Sequence, residues 1–516
     1  MNKKNILLIG FGPHSKRIYY PVICRFAEEM DFNLAMVVEL EEKREDIYEY
    51  FKSNKPPFEL CFIPPEYQTF DKLHPIIESK LDLAIQTYKI DGVIIATEPL
   101  VHMMYAKWAL KSRLSILMDK PISTYQNIST DIKLAKKLLS DFEELKTLYL
   151  DAKKDSPLLS FSLMAQRRFQ TSFQLIKQFI NTCTEKTNCP VTSIQSYHSD
   201  GQWRMPTEIV DQLYHPYMQG YGKCSHSGYH YFDIVPFLLE AGLKGEKYYD
   251  NLEINTTFTR PLDLLEQLSL EDYENLFGST EFQKHNKYSR NQLEAIMTHF
   301  GEVDAFTNIA FKKGSKIMTL ASINLLHNGF GKRDWVTARG RDLYRGNGRV
   351  GHEAHIIQQG PFQAIYFQSY KSKSFNNIDE QMLHSDMEVG SESHLQIYVF
   401  RNSSMIGGKE VEVFNIKELD RLGNRAPGLD GKAKTQAILE FIQALHGLKT
   451  SEEMTSDFLT HEAASVIISG IYQSAAMRDS NQNACINLPY QTRSFKGAPM
   501  RCFEVLQNEN IFAASF

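Results

Sequence analysis

Two hydrophobic rhythms divide the chain. Up to about residue 125, short apolar runs alternate with amphipathic stretches. Ile6–Ile9, Asn33–Val38, Phe58–Phe62, Asp91–Thr97 and Ser115–Met118 have the length and apolar character of buried strands. Ser15–Glu29, Thr69–Tyr88 and His102–Lys111 between them have helical periodicity. This alternation of strand and helix predicts a parallel sheet. A long amphipathic helix over Ser129–Lys153, with Leu134, Leu138, Phe142 and Leu145 on one face, and a strand over Leu158–Met164 follow.

The pattern then changes. A helix over Thr171–Asn181 and a strand over Val191–His198 lead into longer runs of period two: Lys316–Leu325, His355–Gln368 and Ser393–Phe400. Gly407-Gly408 marks a turn after the last of these, and helices over Lys432–His446 and Glu462–Met477 close the pattern. The expected architecture is α/β: an N-terminal Rossmann domain over 1–155, then an α+β domain over 156–516 with a large, mostly antiparallel open sheet. Residues 243–302, polar and helix-prone, are expected as an insertion on the second domain, and the tail after Arg478 shows no periodicity.

Composition narrows the class. A chain of 516 residues, 42% apolar and 23% charged, can fill two ordinary cores. The formal charge of −5 and the lack of a long basic run argue against nucleic acid as a partner. No stretch is apolar enough to span a membrane, and the run after Lys3-Lys4 is too short for a signal segment. The seven cysteines are odd in number and form no CxxC. These features imply a reduced, cytoplasmic, soluble protein without a cysteine metal site.

Candidate chemistry begins where the first strand ends. Gly10-Phe11-Gly12-Pro13-His14-Ser15 joins strand to helix, the context in which paired glycines bring backbone amides close to a pyrophosphate. Ser15 stands where a third glycine is usual and is small enough for close packing. Glu39, after the second strand, can accept hydrogen bonds from an adenosine ribose and repel a 2′-phosphate, which favours NAD over NADP. Lys43 and Arg44 nearby are the residues that would reverse that preference. Arg167 and Arg168 are candidates for holding a substrate carboxylate or phosphate. The stretch Trp203, Arg204, Tyr214, His215 and Tyr217 has the mixed aromatic and polar character of a sugar or polyol face. His226, His230 and Asp233 fall at i, i+4 and i+7, a spacing that can present two imidazoles and a carboxylate, although Pro236 bends that face and no metal is expected.

Ordered together, these pieces resemble the Gfo/Idh/MocA family of nicotinamide-dependent oxidoreductases. Its Ala-Thr-Pro-Asn-x-x-His is matched here by Ala96-Thr97-Glu98-Pro99-Leu100-Val101-His102, and its Glu-Lys-Pro by Asp119-Lys120-Pro121. Its Arg-Arg-Phe is matched by Arg167-Arg168-Phe169. Its Asp-x-Gly-x-His-x-x-Asp is matched by the segment His226 to Asp233, with His226 in place of the first aspartate. The resemblance implies hydride transfer between NAD(P) and a hydroxyl or carbonyl carbon of a small polar substrate: a sugar, cyclitol, nucleotide sugar or biosynthetic intermediate. It implies cofactor contacts from Gly10, Gly12, Pro13, His14, Ser15, Glu39, Ala96, Thr97, Glu98, His102, Asp119 and Lys120. Lys120, His230 and His226 are the implied catalytic residues, with Arg167, Arg168, His226, Tyr229 and His230 at the substrate. A homo-oligomer built on the open sheet is implied as well. The alternative is a dinucleotide-binding sensor of the same fold that turns nothing over, a reading raised by the change to His226.

Overall fold

The computed structural model describes residues 3–52, 54–67, 72–337, 348–372, 393–422 and 429–492. Cys502 and the end of the tail lie outside them. Six parallel strands form the first sheet: β1 (Lys4–Ile9), β2 (Phe32–Leu40), β3 (Glu59–Ile63), β4 (Ile90–Ile95), β5 (Ser115–Met118) and β6 (Phe161–Leu163). Their order is β3-β2-β1-β4-β5-β6, a doubly wound sheet whose order reverses between β1 and β4. Ligands in such sheets bind at the carboxyl ends of the strands flanking that reversal. The helix expected after β1 is divided into Pro13–Arg17 and Tyr19–Phe26, with Ile18 at φ −116° between them.

One face of this sheet is completed from far along the chain. The helix Leu429–Leu445 lays Ala437, Ile438, Phe441 and Ile442 against Ile6, Leu8, Ile94 and Leu117. Gly92 makes room for it, since a Cβ there would stand 2.8 Å from Leu445 Cδ2 and 3.0 Å from Phe441 Cζ.

The second sheet contains β7 (Ser193–Ser199), β8 (Asn251–Thr259), β9 (Asp304–Lys313), β10 (Lys316–Leu326), β11 (Val350–Gln359), β12 (Gln363–Ser372), β13 (Ser393–Arg401), β14 (Val411–Asn415) and β15 (Ile486–Pro489). Its order is β14-β13-β12-β11-β7-β10-β9-β8-β15, antiparallel except where β10 runs parallel to β7. The single run expected over 355–368 is two strands, because Gly360 turns the chain at φ +53°. Within the segment 243–302, Asn251–Thr259 is strand β8, paired along its length with β9, and the short helices from Pro261 to Met297 follow it. The alternation Leu252, Ile254, Thr256 points into the core, but polar neighbours and an inward threonine hide it in the sequence. The tail contributes β15, which pairs with β8.

The helix Glu462–Asp479 runs between the layers and is buried from Ala463 to Ala476. Its buried serines are satisfied: Ser469 Oγ donates to Ala135 O of the long helix Ile132–Asp155 at 2.7 Å, and Ser465 Oγ to His461 O at 3.0 Å. Gly470 admits Ile254, whose Cδ1 would lie 2.4 Å from a Cβ at that position. Among the described residues no helix is long and apolar enough to cross a membrane, and the cysteines there are free.

Candidate active site

The glycine turn packs tightly on one side and is open on the other. Gly10 adopts φ +94°, and a Cβ there would come within 2.5 Å of Ala96 O, so the turn needs glycine for conformation and for space. Gly12 has no atom within 4 Å of its would-be Cβ. Ser15 is fully buried and its Oγ donates to Gly10 O at 2.7 Å, locking the turn from behind. Glu39 accepts from the Phe11 amide at 2.6 Å and from the Leu40 amide at 2.8 Å, which fixes its carboxylate against the turn. Arg44 is bound to Glu41 at 2.5 and 2.8 Å and lies 3.9 Å over the Phe62 ring.

Opposite this turn, His102 joins two loops. Its Nδ1 lies 2.7 Å from Pro121 O and its Nε2 3.1 Å from Thr97 O. The ring is fully buried, so it positions the Ala96-Thr97-Glu98 and Asp119-Lys120-Pro121 segments from beneath and is closed to a ligand. Thr97 Oγ1 is buried with no hydrogen-bond partner. Asp119 accepts from Tyr19 OH at 2.5 Å and stands 4.0 Å from His14 Nε2. Burial brings the His14 pKa down to about 4 despite Asp119.

Lys120 links the two domains. Its Nζ donates to His226 O at 2.8 Å, so the ammonium caps the turn that precedes His230. Burial lowers the Lys120 pKa, against the opposing charge of Asp119. His226 lies in a π-helical turn, Cys224–Gly228, which leads directly into the helix Tyr229–Glu240. Such turns mark functional positions more often than ordinary helix. The His226 ring is 5% exposed, stacks on His215 at 4.5 Å and has no hydrogen-bond partner on either nitrogen. Burial holds it far below the ordinary histidine pKa, with the neighbouring imidazoles adding to the effect. His230 is depressed in the same direction, first by burial and then by the charges of Lys120, Arg167 and Lys434. Both rings are therefore neutral near pH 7.

Three residues expected at a substrate are committed elsewhere. Arg168 is 3% exposed and holds Asp233 through Nε at 2.9 Å and Nη2 at 2.5 Å, with Thr460 Oγ1 at 2.6 Å on Nη1. Asp233 also meets His461 Nδ1 at 2.9 Å. Burial would raise its pKa, but Arg168 and His461 bring it down to about 2. This pair leaves Asp233 no role as a metal ligand, and among the described residues no cluster of ligating side chains is suited to a metal ion. Tyr229 is 1% exposed and points to His461, 3.3 Å away, rather than toward the cleft. Arg167 is clamped by Glu353 at 2.9 and 2.7 Å and by Tyr231 OH at 2.5 Å, so what it contributes to the cleft is electric field.

The fold adds residues that local sequence did not single out. Lys434, on the helix that covers the first sheet, lies close enough to depress both His14 and His230. Buried Asp200 holds Lys223 and Arg349 and lies 3.5 Å from His327 Nε2. Burial opposes its ionisation, but Arg349 and Lys223 keep the carboxyl well below the usual range. Asp200 follows the last residue of β7 and Glu353 lies on β11, and neither fell within a strand expected from the sequence.

No protein-family model matches the sequence, and no curated protein matches it. Solved structures do. Levoglucosan dehydrogenase in its apo form is 14% identical, with 96% of this chain and 100% of that one covered and a TM-score of 0.53. An aldose-aldose oxidoreductase from Caulobacter crescentus, complexed with glycerol, is 11% identical over 95% and 100% of the two chains, with a TM-score of 0.52. Levoglucosan dehydrogenase in complex with NADH and levoglucosan is 12% identical over 95% and 99%, again at 0.53. The chain shares the fold of these oxidoreductases. At this identity the likeness establishes architecture alone, a doubly wound parallel sheet followed by a large, mostly antiparallel sheet, which is the order the sequence patterns predict.

Proposed function

We propose that this protein is an NAD(P)-dependent oxidoreductase that moves a hydride between nicotinamide and a hydroxyl or carbonyl carbon of a small polar substrate. The observation that carries this reading is the Lys120 ammonium bound to His226 O, one turn before His230. It gathers a cation and a neutral imidazole at the carboxyl edge of the first sheet, near the open side of Gly12.

The residues fit a dinucleotide. The space before Gly12 admits a pyrophosphate, and the unpartnered Thr97 Oγ1 can donate to its nicotinamide half. Glu39 supplies negative charge where the adenosine ribose would lie, and Arg44 is occupied by Glu41, which favours NAD. A bound nicotinamide ring would accept or supply the hydride. Lys120 donates a hydrogen bond to the substrate oxygen and stabilises negative charge developing on it. His230, held neutral, takes the hydroxyl proton in the oxidative direction and returns it in reduction. His226 offers two unused ring nitrogens to substrate hydroxyls. The relatives in fold bind NADH, levoglucosan and glycerol, which supports sugars, cyclitols and related polyhydroxy compounds, their acids included, as the substrate class.

We also assign a homo-oligomer and a cytoplasmic setting. Phe306, Leu320, Tyr366, Phe400 and Val413 are exposed on strands of the second sheet, an apolar face suited to a second copy. The reaction is tested by following nicotinamide absorbance with a panel of polyols and sugars for the parent chain, Lys120→Ala and His230→Ala. Turnover in the parent and at least hundredfold loss in both variants is expected. Undiminished turnover in both would overturn the assignment.

A further inference from the structure

The loop after β7 builds a second recognition element that hydride chemistry does not require. Gly201 adopts φ +52°, and a Cβ there would lie 2.0 Å from Phe330 O and 2.6 Å from Val350 O. The Gln202 amide donates to His327 O at 2.9 Å, and Trp203 O accepts from Arg333 at 3.0 Å. The segment Gln202-Trp203-Arg204 is therefore held from both sides. It lines a cavity of about 280 Å³ together with Tyr217, Leu264 and Leu268.

The polar atoms of this cavity are out of balance. Arg204 is 6% exposed and Gln202 4%. Arg204 Nη2 donates to Gln202 Oε1, which uses the acceptor of that amide. Arg204 Nε and Gln202 Nε2 remain buried donors with no acceptor. Each acid nearby is already engaged. Asp200 holds Lys223 and Arg349, Glu208 holds Arg333 and the Met205 amide, and Asp304 accepts from the His327 and Asn328 amides. Among the described residues Arg204 has no carboxylate partner. A buried guanidinium without a counter-charge is costly, and a fixed one lining a cavity is complementary to an anion.

The cavity adjoins the candidate active site. Tyr217 forms part of its wall, bonds His327 Nδ1 at 2.5 Å, and has its ring 6.2 Å from that of His226. We propose that Arg204 and Gln202 form a subsite for the carboxylate of the substrate, which is then a polyhydroxy acid rather than a neutral polyol. One guanidinium, with neutral amides from Gln202, Gln267 and Asn328 and leucine walls, matches a single negative charge and would leave a phosphate dianion undercompensated. The cavity has the size of a small metabolite's end group, not of a nucleotide. Reaction at the far end of such an acid rests on the hydride-transfer reading; binding of its carboxylate does not.

The test uses the full chain and titration calorimetry. D-gluconate and D-galactonate are compared with their uncharged counterparts D-glucitol and galactitol, and with D-glucitol 6-phosphate. The expected result is at least tenfold tighter binding of the acids than of the polyols. That preference falls below twofold in Arg204→Gln, and likewise in Gln202→Glu, an isosteric change that sets a carboxylate against Arg204. Equal binding of acids and polyols, or a preference that survives in the folded variants, would overturn the proposal. Tighter binding of the phosphate than of the acids would overturn the carboxylate assignment. NADH titrated into the same samples separates the two ideas: acids bound without NADH refute the hydride reading alone, and NADH bound without acid preference refutes the subsite alone.

Discussion

Gly10 and Gly12 differ by two positions and should fail in opposite ways. At Gly10, alanine meets both a positive φ of 94° and a contact of 2.5 Å with Ala96 O. The conformational cost is about 1–2 kcal/mol. The crowding against backbone that cannot swing away adds about 1–3 kcal/mol, so Gly10→Ala should lose about 2–5 kcal/mol of stability. At Gly12, φ is −70° and the would-be Cβ has nothing within 4 Å. Alanine is a poorer helix N-cap, a cost of about 0.5–1 kcal/mol. Its methyl group does, however, enter the space assigned to the pyrophosphate. The expected loss of NADH affinity is about tenfold or more, about 1.4 kcal/mol at least. Urea denaturation reports the first quantity, and titration of NADH by fluorescence the second. A Gly12→Ala protein that binds NADH as the parent does would refute the placement of the dinucleotide. Retention of full stability in Gly10→Ala would refute the steric account of the turn.

Other expectations concern the buried charges and the sheet. Asp233→Asn leaves Arg168 buried without its counter-charge and should cost about 3–5 kcal/mol in urea denaturation, while NADH affinity in the folded fraction stays within twofold. Asp233 has a folded pKa of about 2 against 3.8 when unperturbed, so its contribution of about 2 kcal/mol is present above pH 4 and lost as pH falls toward 2. The acid limb of the stability curve should flatten in Asp233→Asn. His230 is held neutral well below pH 6.5, so kcat/KM for oxidation should stay level as pH falls through 6.5, whereas an ordinary histidine base would lose activity there. Leu320→Asp places a charge on the exposed sheet face, where Leu320 is 56% exposed; light scattering should show the assembly dissociating without loss of fold.

Local signals exposed the first domain well. Ile6–Ile9, the glycine turn and the strand ending at Asp119-Lys120 combine short apolar runs with residues that can only be turns or edges. The second sheet was harder to divide. Gly360-Pro361 lies within a run that otherwise alternates smoothly, so β11 and β12 merge when read in one dimension. Strand β8 offers only Leu252, Ile254 and Thr256 to the core, and β15 is a four-residue edge strand.

At the candidate site, sequence order singled out Lys120, His226 and His230, whose spacing is local to two motifs. It could not show that Arg168 turns from the cleft to Asp233, because that ion pair is closed by Thr460 and His461 from the far end of the chain. Nor could it place Lys434 near His14 and His230, since the packing of one late helix on the first sheet decides that. The identity of Arg204 was visible, but its missing counter-charge was not: that depends on Asp200, Glu208 and Asp304 each finding another partner.

We propose that a dinucleotide lies over the edge of the first sheet with its nicotinamide facing Lys120 and His230, and the roles of both side chains follow from that placement. A crystal structure of the chain grown with NADH tests it directly. The expected map shows the pyrophosphate against Gly12 and the nicotinamide ring beside the Lys120 ammonium and the His230 imidazole. A dinucleotide bound elsewhere, or a ring remote from both side chains, would contradict the account.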